Sequence, residues 1–117
     1  MNETVPEEKT SITIDDFQKI EIRLGTVLSV DIVEGADKLY KLSVDVGEEK
    51  PRQILSGIRE FIGANELLGK QFPFVTNLPS RMLRGYESQG MILAASDDSG
   101  LALLTPTKLL SNGTKLR

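Results

Sequence analysis

Residues 20–32, IEIRLGTVLSVDI, decide the fold that this sequence predicts. Apolar residues at positions 20, 22 and 24 alternate with charged ones, and a second apolar face follows at Leu28, Val30 and Ile32. A period of two is typical of a β-strand. Gly25 interrupts the pattern, and a glycine within a strand commonly marks a bulge or a sharp bend. We therefore expect one long, strongly bent strand that pairs on both of its sides.

The rest of the chain predicts further strands and one helical interruption. Residues 40–46 alternate, a turn at 47–51 leads into RQILS at 52–56, and residues 71–77 and 90–96 are again typical of strands. Glycines at 57, 63 and 69 punctuate a stretch that predicts one or two short helical pieces. Asp15 and Asp16 predict a helical turn before the first strand. DDSG at 97–100 predicts a turn into a further strand, LALLTP.

This order of elements predicts the fold class. Three strands, a short helix and two more strands are typical of the OB-fold, a five-stranded Greek-key barrel. We expect an all-β domain with a short helix and additions at both ends, covering residues 13–117. Residues 1–12 lack periodicity and predict a flexible lead-in. An SH3-like barrel is the alternative that the same pattern allows.

Composition excludes several classes of site. The 117 residues carry a net charge of −3 and contain neither Cys nor His. Disulfides, thiol nucleophiles, Cys/His zinc sites and imidazole acid–base chemistry are therefore excluded. No apolar run approaches the length of a membrane span, and the N-terminus is polar. We expect a cytoplasmic protein with no membrane association.

The connection NLPSRMLRGYESQGM, residues 77–91, carries unusually varied side chains. From Lys70 to Met91 the charges are Lys70, Arg81 and Arg84 against Glu87, a local positive excess inside an acidic chain. Because salt screens charges beyond about 8 Å, a phosphate would sense this patch more than the net charge. OB-folds grip nucleic acid with the loops between strands 1 and 2 and between strands 4 and 5, which here are EGADK and this connection. The connection therefore predicts phosphate contact.

Several motifs in order resemble one family. DDFQKIEIRLGTV, EGADKLYKLSVDVG, LSGI, LLGKQFPFVTNL and GYESQGMILAAS resemble the tRNA-binding domain family, which includes the C-terminal domain of methionyl-tRNA synthetase and the chaperone CsaA. The resemblance implies shape-specific tRNA binding without catalysis, cofactor or metal. It also implies a homodimer, acting as a stand-alone protein or as a beta subunit of methionyl-tRNA synthetase. A CsaA-like export chaperone that binds unfolded polypeptide is the alternative.

The resemblance also implies where RNA would bind. Arg81 matches a family arginine, Met82 stands where the family usually has lysine, and Ser88 and Met91 fall on its Ser-x-Gly-Met motif. Ser88 also fits a bond to its own loop, and Met91 fits the start of a core face. Tyr86 is placed to stack on a base. The predicted RNA-binding residues are Lys38, Lys41, Arg52, Arg81, Arg84, Tyr86, Ser88 and Met91.

Two other assignments follow from the pattern. Tyr40 lies on the apolar face of its strand and is predicted to be a core residue, while Asn77 is predicted to satisfy loop backbone. The carboxylate pairs Asp15–Asp16 and Asp97–Asp98 lie at a predicted helix start and a predicted turn. Neither pair is accompanied by a phosphate loop or a nucleophile motif. We therefore do not expect an enzyme.

Overall fold

The structure, a computed structural model, describes residues 10–117, so most of the predicted lead-in lies outside the described residues. The elements are α1 Ile14–Gln18, β1 Ile22–Ile32, β2 Tyr40–Asp45, β3 Arg52–Ser56, a 3-10 turn Ala64–Glu66, β4 Gln71–Val75, β5 Arg81–Leu83, β6 Tyr86–Ser88, β7 Met91–Ile92, β8 Ala94–Asp97 and β9 Gly100–Leu103. No helix among residues 10–117 is long and apolar enough to cross a membrane.

The main sheet is an antiparallel barrel that is nearly closed. Its strand order is β3-β2-β1-β4-β7. The gap between the outer strands is bridged where Gln89 N donates to Gln53 O at 2.7 Å. The OB-like barrel confirms the predicted fold class and excludes the SH3-like alternative.

The first strand is long and paired on both sides, as predicted. Residues 22–26 pair with β4 and residues 26–32 with β2. The register shift lies between Val27 and Ser29, so the bulge is at Leu28 and not at Gly25. A Cβ on Gly25 would lie 2.8 Å from Cγ1 of both Val44 and Val46, so this glycine permits close packing. The apolar face predicted from Leu28, Val30 and Ile32 is partly wrong, because Leu28 and Ile32 are exposed.

The barrel interior is filled by aliphatic and phenylalanine side chains. Tyr40 lies in this core as predicted, and its hydroxyl donates to Ile62 O at 2.7 Å. This bond satisfies the polar end of a buried ring. The most completely buried side chains are Phe72, Phe74, Leu42, Ile54, Leu67, Val27, Val44 and Val46.

The helical parts are short. In α1, Asp15 and Asp16 occupy the first turn as predicted, but the cap is Thr13, whose Oγ1 accepts from Asp16 N at 3.0 Å. The predicted helical stretch between β3 and β4 contains the single 3-10 turn. There, Glu66 Oε2 accepts from Gly63 N at 2.8 Å and fixes the start of the turn.

The C-terminal residues complete the pairing of β1. Leu24 N donates to Thr114 O at 2.9 Å, Gly113 N donates to Leu24 O at 2.7 Å, and Leu116 N donates to Ile22 O at 2.8 Å. The preceding residue, Asn112, accepts through Oδ1 from Thr26 Oγ1 and Gln71 Nε2, both at 2.9 Å. The end of the chain therefore lies along the edge of β1 that β2 leaves free.

Two hairpins extend from the barrel. The DDSG turn joins β8 and β9 as predicted, and Asp97 Oδ1 accepts from Ser99 N at 2.8 Å and Ser99 Oγ at 2.7 Å. These bonds give Asp97 a structural role in the turn. The predicted strand at 90–96 is divided between β7 and β8. The second hairpin, β5–β6, lies inside the connection predicted as a loop.

Candidate nucleic-acid interface

The hairpin β5–β6 presents two of the predicted arginines. Leu83 pairs with Tyr86, which leaves Arg84 and Gly85 as a two-residue turn. Both turn residues have positive φ, 51° and 85°, which is the signature of a type I′ turn. Arg81 and Arg84 are exposed, and no salt bridge joins either of them to a residue in the range 10–117. Their charges therefore face solvent on a hairpin whose twist matches a β-sheet.

The hairpin touches the barrel through a cation and a ring. Lys41, on β2, places Nζ 4.4 Å from the centroid of the Tyr86 ring. This is the range of a cation–π contact. Two residues predicted separately are thus brought together. One face of Tyr86 is covered by the ammonium, so the predicted stacking on a base is open only to the other face.

Arg52 is held by several partners. Nε and Nη2 donate to the two carboxylate oxygens of Glu48, each at 2.8 Å, in a bidentate pair. Nη1 donates to Thr76 O at 2.7 Å and Gln89 O at 3.0 Å. The Arg52 guanidinium lowers the pKa of Glu48. Arg52 therefore ties β3 to both ends of the 77–91 connection, and its charge is largely matched by Glu48.

Ser88 lies inside the fold. The residue is 3% exposed, and its hydroxyl accepts from Leu55 N at 3.0 Å and donates to Gly90 O at 3.2 Å. Gly90 is equally confined, because an added Cβ would lie 3.0 Å from Ile54 Cδ1 and Val75 O. Because β3 is an outer strand of the sheet, Leu55 N finds its acceptor in the Ser88 hydroxyl and not in a neighbouring strand. A direct contact with RNA, one of the two predicted alternatives, would require this bonding to open.

The remaining predicted residues are dispersed. Met91 is 45% exposed and pairs with Val75, while its neighbour Ile92 takes the core position, so the alternative that placed Met91 in the core is wrong. Lys38 lies exposed in the turn between β1 and β2. Within the described chain, no hydrogen bond or ion pair joins Lys38 or Met91 to the other predicted site residues. These two therefore do not share the Lys41–Tyr86 contact.

The start of the connection is anchored to the residues before β1. Asn77 Oδ1 accepts from Glu21 N at 2.8 Å and its Nδ2 donates to Lys19 O at 2.6 Å, the structural role predicted for this amide. Glu21 in turn accepts from Arg23 Nη2 at 3.0 Å and Thr76 Oγ1 at 2.8 Å. These bonds, that from Arg23 first, lower the pKa of Glu21 to about 2. The start of the connection that carries the hairpin is therefore fixed to the residues before β1.

Two grooves lie between the connection and the barrel, and sequence reasoning missed Gln53 and Gln89 in their lining. One, of about 710 Å³, is lined by residues from Glu48 to Arg52 together with Thr76, Leu78 and Ser80. The other, of about 380 Å³, includes Lys41, Ser43 and Gln53. Gln89 lines both grooves. Nothing in the spacing of the two glutamines marks them, because they meet only when the barrel closes.

Comparisons with known proteins give the chain a family. Residues 22–115 match the family described as "Putative tRNA binding domain". A methionine–tRNA ligase of Caldanaerobacter subterraneus subsp. tengcongensis is 46% identical over 114 residues, which is 97% of this chain and 18% of the ligase. That of Deinococcus radiodurans is 50% identical over 107 residues, 91% of this chain and 16% of the ligase. The chain thus spans less than a fifth of these relatives.

Solved structures agree with the sequence match. A MetRS related protein from Pyrococcus horikoshii is 33% identical with a TM-score of 0.86, covering 93% of this chain and 100% of that one. The chaperone CsaA from Bacillus anthracis is 27% identical with a TM-score of 0.81, covering 92% and 100%. The family match extends over most of the chain and coincides with the barrel. The chain belongs to the tRNA-binding domain family.

Proposed function

We propose that this chain binds tRNA through the hairpin β5–β6 and the adjoining face of β2 and β3, without catalysing a reaction. The observation that carries the proposal is the exposed Arg81 and Arg84 beside the Lys41–Tyr86 contact, on the surface that OB-folds use for nucleic acid. Cations would contact phosphates, and the open face of Tyr86 would meet a base. In this role the domain would strengthen the hold of an aminoacyl-tRNA synthetase on tRNA.

A titration with mixed tRNA across a salt series tests this function. Each phosphate contact contributes a slope of roughly −0.7 to −0.9 in log K against log salt. Arg81→Gln and Arg84→Asn should each flatten that slope by about one contact, and Asn suits the left-handed position of Arg84. Lys19→Gln, an exposed cation at the end of α1 that lies outside both grooves and the C-terminal segment, is the matched control. Undetectable tRNA binding at low salt would overturn the proposal.

We also propose that two copies of the chain associate through the C-terminal segment. A groove of about 820 Å³ there is lined by Leu24, Pro73, Leu93, Leu104, Leu110 and Leu116 among others. Leu104, Leu109 and Leu110 are exposed, and contiguous exposed apolar surface marks interaction sites. A second copy would cover these leucines. Sedimentation equilibrium should give a dimer mass that Leu110→Glu lowers to the monomer, and a wild-type monomer at micromolar concentration would contradict this.

Binding of unfolded polypeptide is the second candidate function. The likeness to a CsaA chaperone and the apolar groove favour it. Peptide binding by apolar contact would respond little to salt, whereas phosphate binding weakens steeply. The same salt series with an unfolded apolar peptide therefore separates the two functions.

A further inference from the structure

The smaller groove presents one hydrogen-bond donor and one acceptor whose orientations are fixed. Gln89 Oε1 accepts from Gln53 N at 3.0 Å, which turns Nε2 away from that backbone group. Gln53 Nε2 donates to Glu87 O at 2.9 Å, which leaves Gln53 Oε1 as an acceptor. Within residues 10–117, Gln89 Nε2 and Gln53 Oε1 have no hydrogen-bond partner. Both glutamines line the groove of about 380 Å³.

The charges around the groove favour a neutral ligand. Arg52 lines it, but its guanidinium is paired with Glu48 in bidentate geometry. Asp31 also lines the groove and repels phosphate. Lys41 lines the groove as well, but its ammonium lies 4.4 Å from the centroid of the Tyr86 ring and so is directed toward the hairpin. A phosphate would therefore bind outside the groove, and a neutral polar group would bind within it.

The size and chemistry fit a nucleobase. Ligand pockets occur from about 300 Å³ upward. The edge of every unpaired base offers an acceptor next to a donor, and glutamine amides read such edges. We propose that this groove holds one unpaired nucleobase of the bound RNA, with Gln89 donating to a ring nitrogen or carbonyl and Gln53 accepting from an amino or imino group. The proposal rests on the RNA-binding function proposed above.

The substitution Gln89→Glu tests the donor while keeping the packing. The carboxylate still accepts from Gln53 N, but the position of Nε2 becomes an oxygen. Gln18→Glu, on the exposed face of α1, makes the same change of charge outside the groove and is the matched control. Thermal unfolding of both variants checks that the barrel is retained.

The ligands are five-unit sugar-phosphate chains that carry a single central base (A, C, G or U) or no base. Because the phosphates are identical, the difference in affinity between the two kinds of chain isolates the base. At least one base should improve wild-type binding by about 2- to 12-fold, the range of one neutral hydrogen bond. Gln89→Glu should abolish this difference, Gln18→Glu should retain it, and the Gln89 side-chain amide resonance should shift only with the base-carrying chain.

Equal wild-type affinity for chains with and without a base would overturn the proposal, as would a difference that persists in Gln89→Glu. If Gln89→Glu unfolds, the Gln89 side-chain amide resonance of the wild-type protein tests the proposal, and the absence of a shift specific to the base-carrying chain would overturn it. If tRNA binding depends on salt but no base improves affinity, the proposed base subsite is overturned and the proposed tRNA-binding function stands. Loss of tRNA binding itself would overturn both proposals.

Discussion

The Lys41 ammonium lies 4.4 Å from the centroid of the Tyr86 ring, so the second barrel strand and the outer hairpin meet through a cation on an aromatic face. Lys41 also lines the smaller polar groove, so the contact places the Tyr86 ring next to a residue of that groove. The ammonium and a base cannot occupy the same face of the Tyr86 ring, so a base can stack only on the opposite face.

Replacing Lys41 by Met is expected to weaken tRNA binding through the loss of one phosphate contact. The salt slope should fall by roughly 0.7 to 0.9, measured by fluorescence anisotropy between low and physiological salt. Tyr86→Phe keeps the ring beneath the ammonium and should leave the slope unchanged. A slope unaltered by Lys41→Met would place this lysine outside the interface.

Gly85→Ala is expected to destabilise the hairpin. Gly85 has a φ of 85°, and a left-handed conformation costs an alanine about 1–2 kcal/mol, although no atom lies within 4 Å of the added Cβ. Hydrogen exchange of the β5 and β6 amides should therefore accelerate. Gly57→Ala, where the nearest atom would lie at 3.9 Å and φ is not positive, is the control. Equal exchange in both variants would contradict the strained turn.

Ser88→Ala is expected to lower the free energy of unfolding by about 1–3 kcal/mol, since Leu55 N loses its buried acceptor. The midpoint of urea unfolding measures the effect, and Ser80→Ala, an exposed serine of the same connection, is the control. Affinity for tRNA under conditions where the variant is folded should change little. A stable variant with lost affinity would instead assign Ser88 a direct contact.

Glu21→Gln is expected to change how stability depends on pH. The folded pKa of about 2 lies below the ordinary value of 4.5, so the charged form stabilises the fold above pH 4.5 and this stabilisation is lost as the pH falls toward 2. The variant should be less stable than the wild type at neutral pH and lose less stability on acidification. Thermal melts from pH 7 to pH 2 measure this, with Glu34→Gln on an exposed turn as control. Parallel curves for wild type and Glu21→Gln would argue against the Glu21–Arg23 bond.

Periodicity predicted the barrel because its signal is local. The alternation of residues 40–46 and the placement of Tyr40 in the core follow directly from strand parity. Parity failed in β1 because the bulge at Leu28 adds one residue, which turns Leu28 outward and leaves Val27 in the core. Gly25, which predicted the bend, instead permits close packing against Val44 and Val46.

The site was less predictable because it depends on contacts between distant residues. The β5–β6 hairpin was missed since Arg84 occupies a turn position that Asn or Gly usually marks. The pairing of Arg52 with Glu48, four residues earlier across a turn, had a visible signal in opposite charges at close spacing. The bonds of Arg52 to Thr76 and Gln89, and the orientation of the Gln53 and Gln89 amides, arise only on barrel closure.

The pairing of β1 with residues 113–116 has a consequence for synthesis of the chain. Residues 22–24 are synthesised long before residues 113–116, which are their backbone partners on one side. Until then the edge of the nascent first strand is open, and open strand edges favour association between chains. Completion of the barrel therefore waits for residues 113–116, and a chain truncated before Asn112 would keep that edge of β1 exposed.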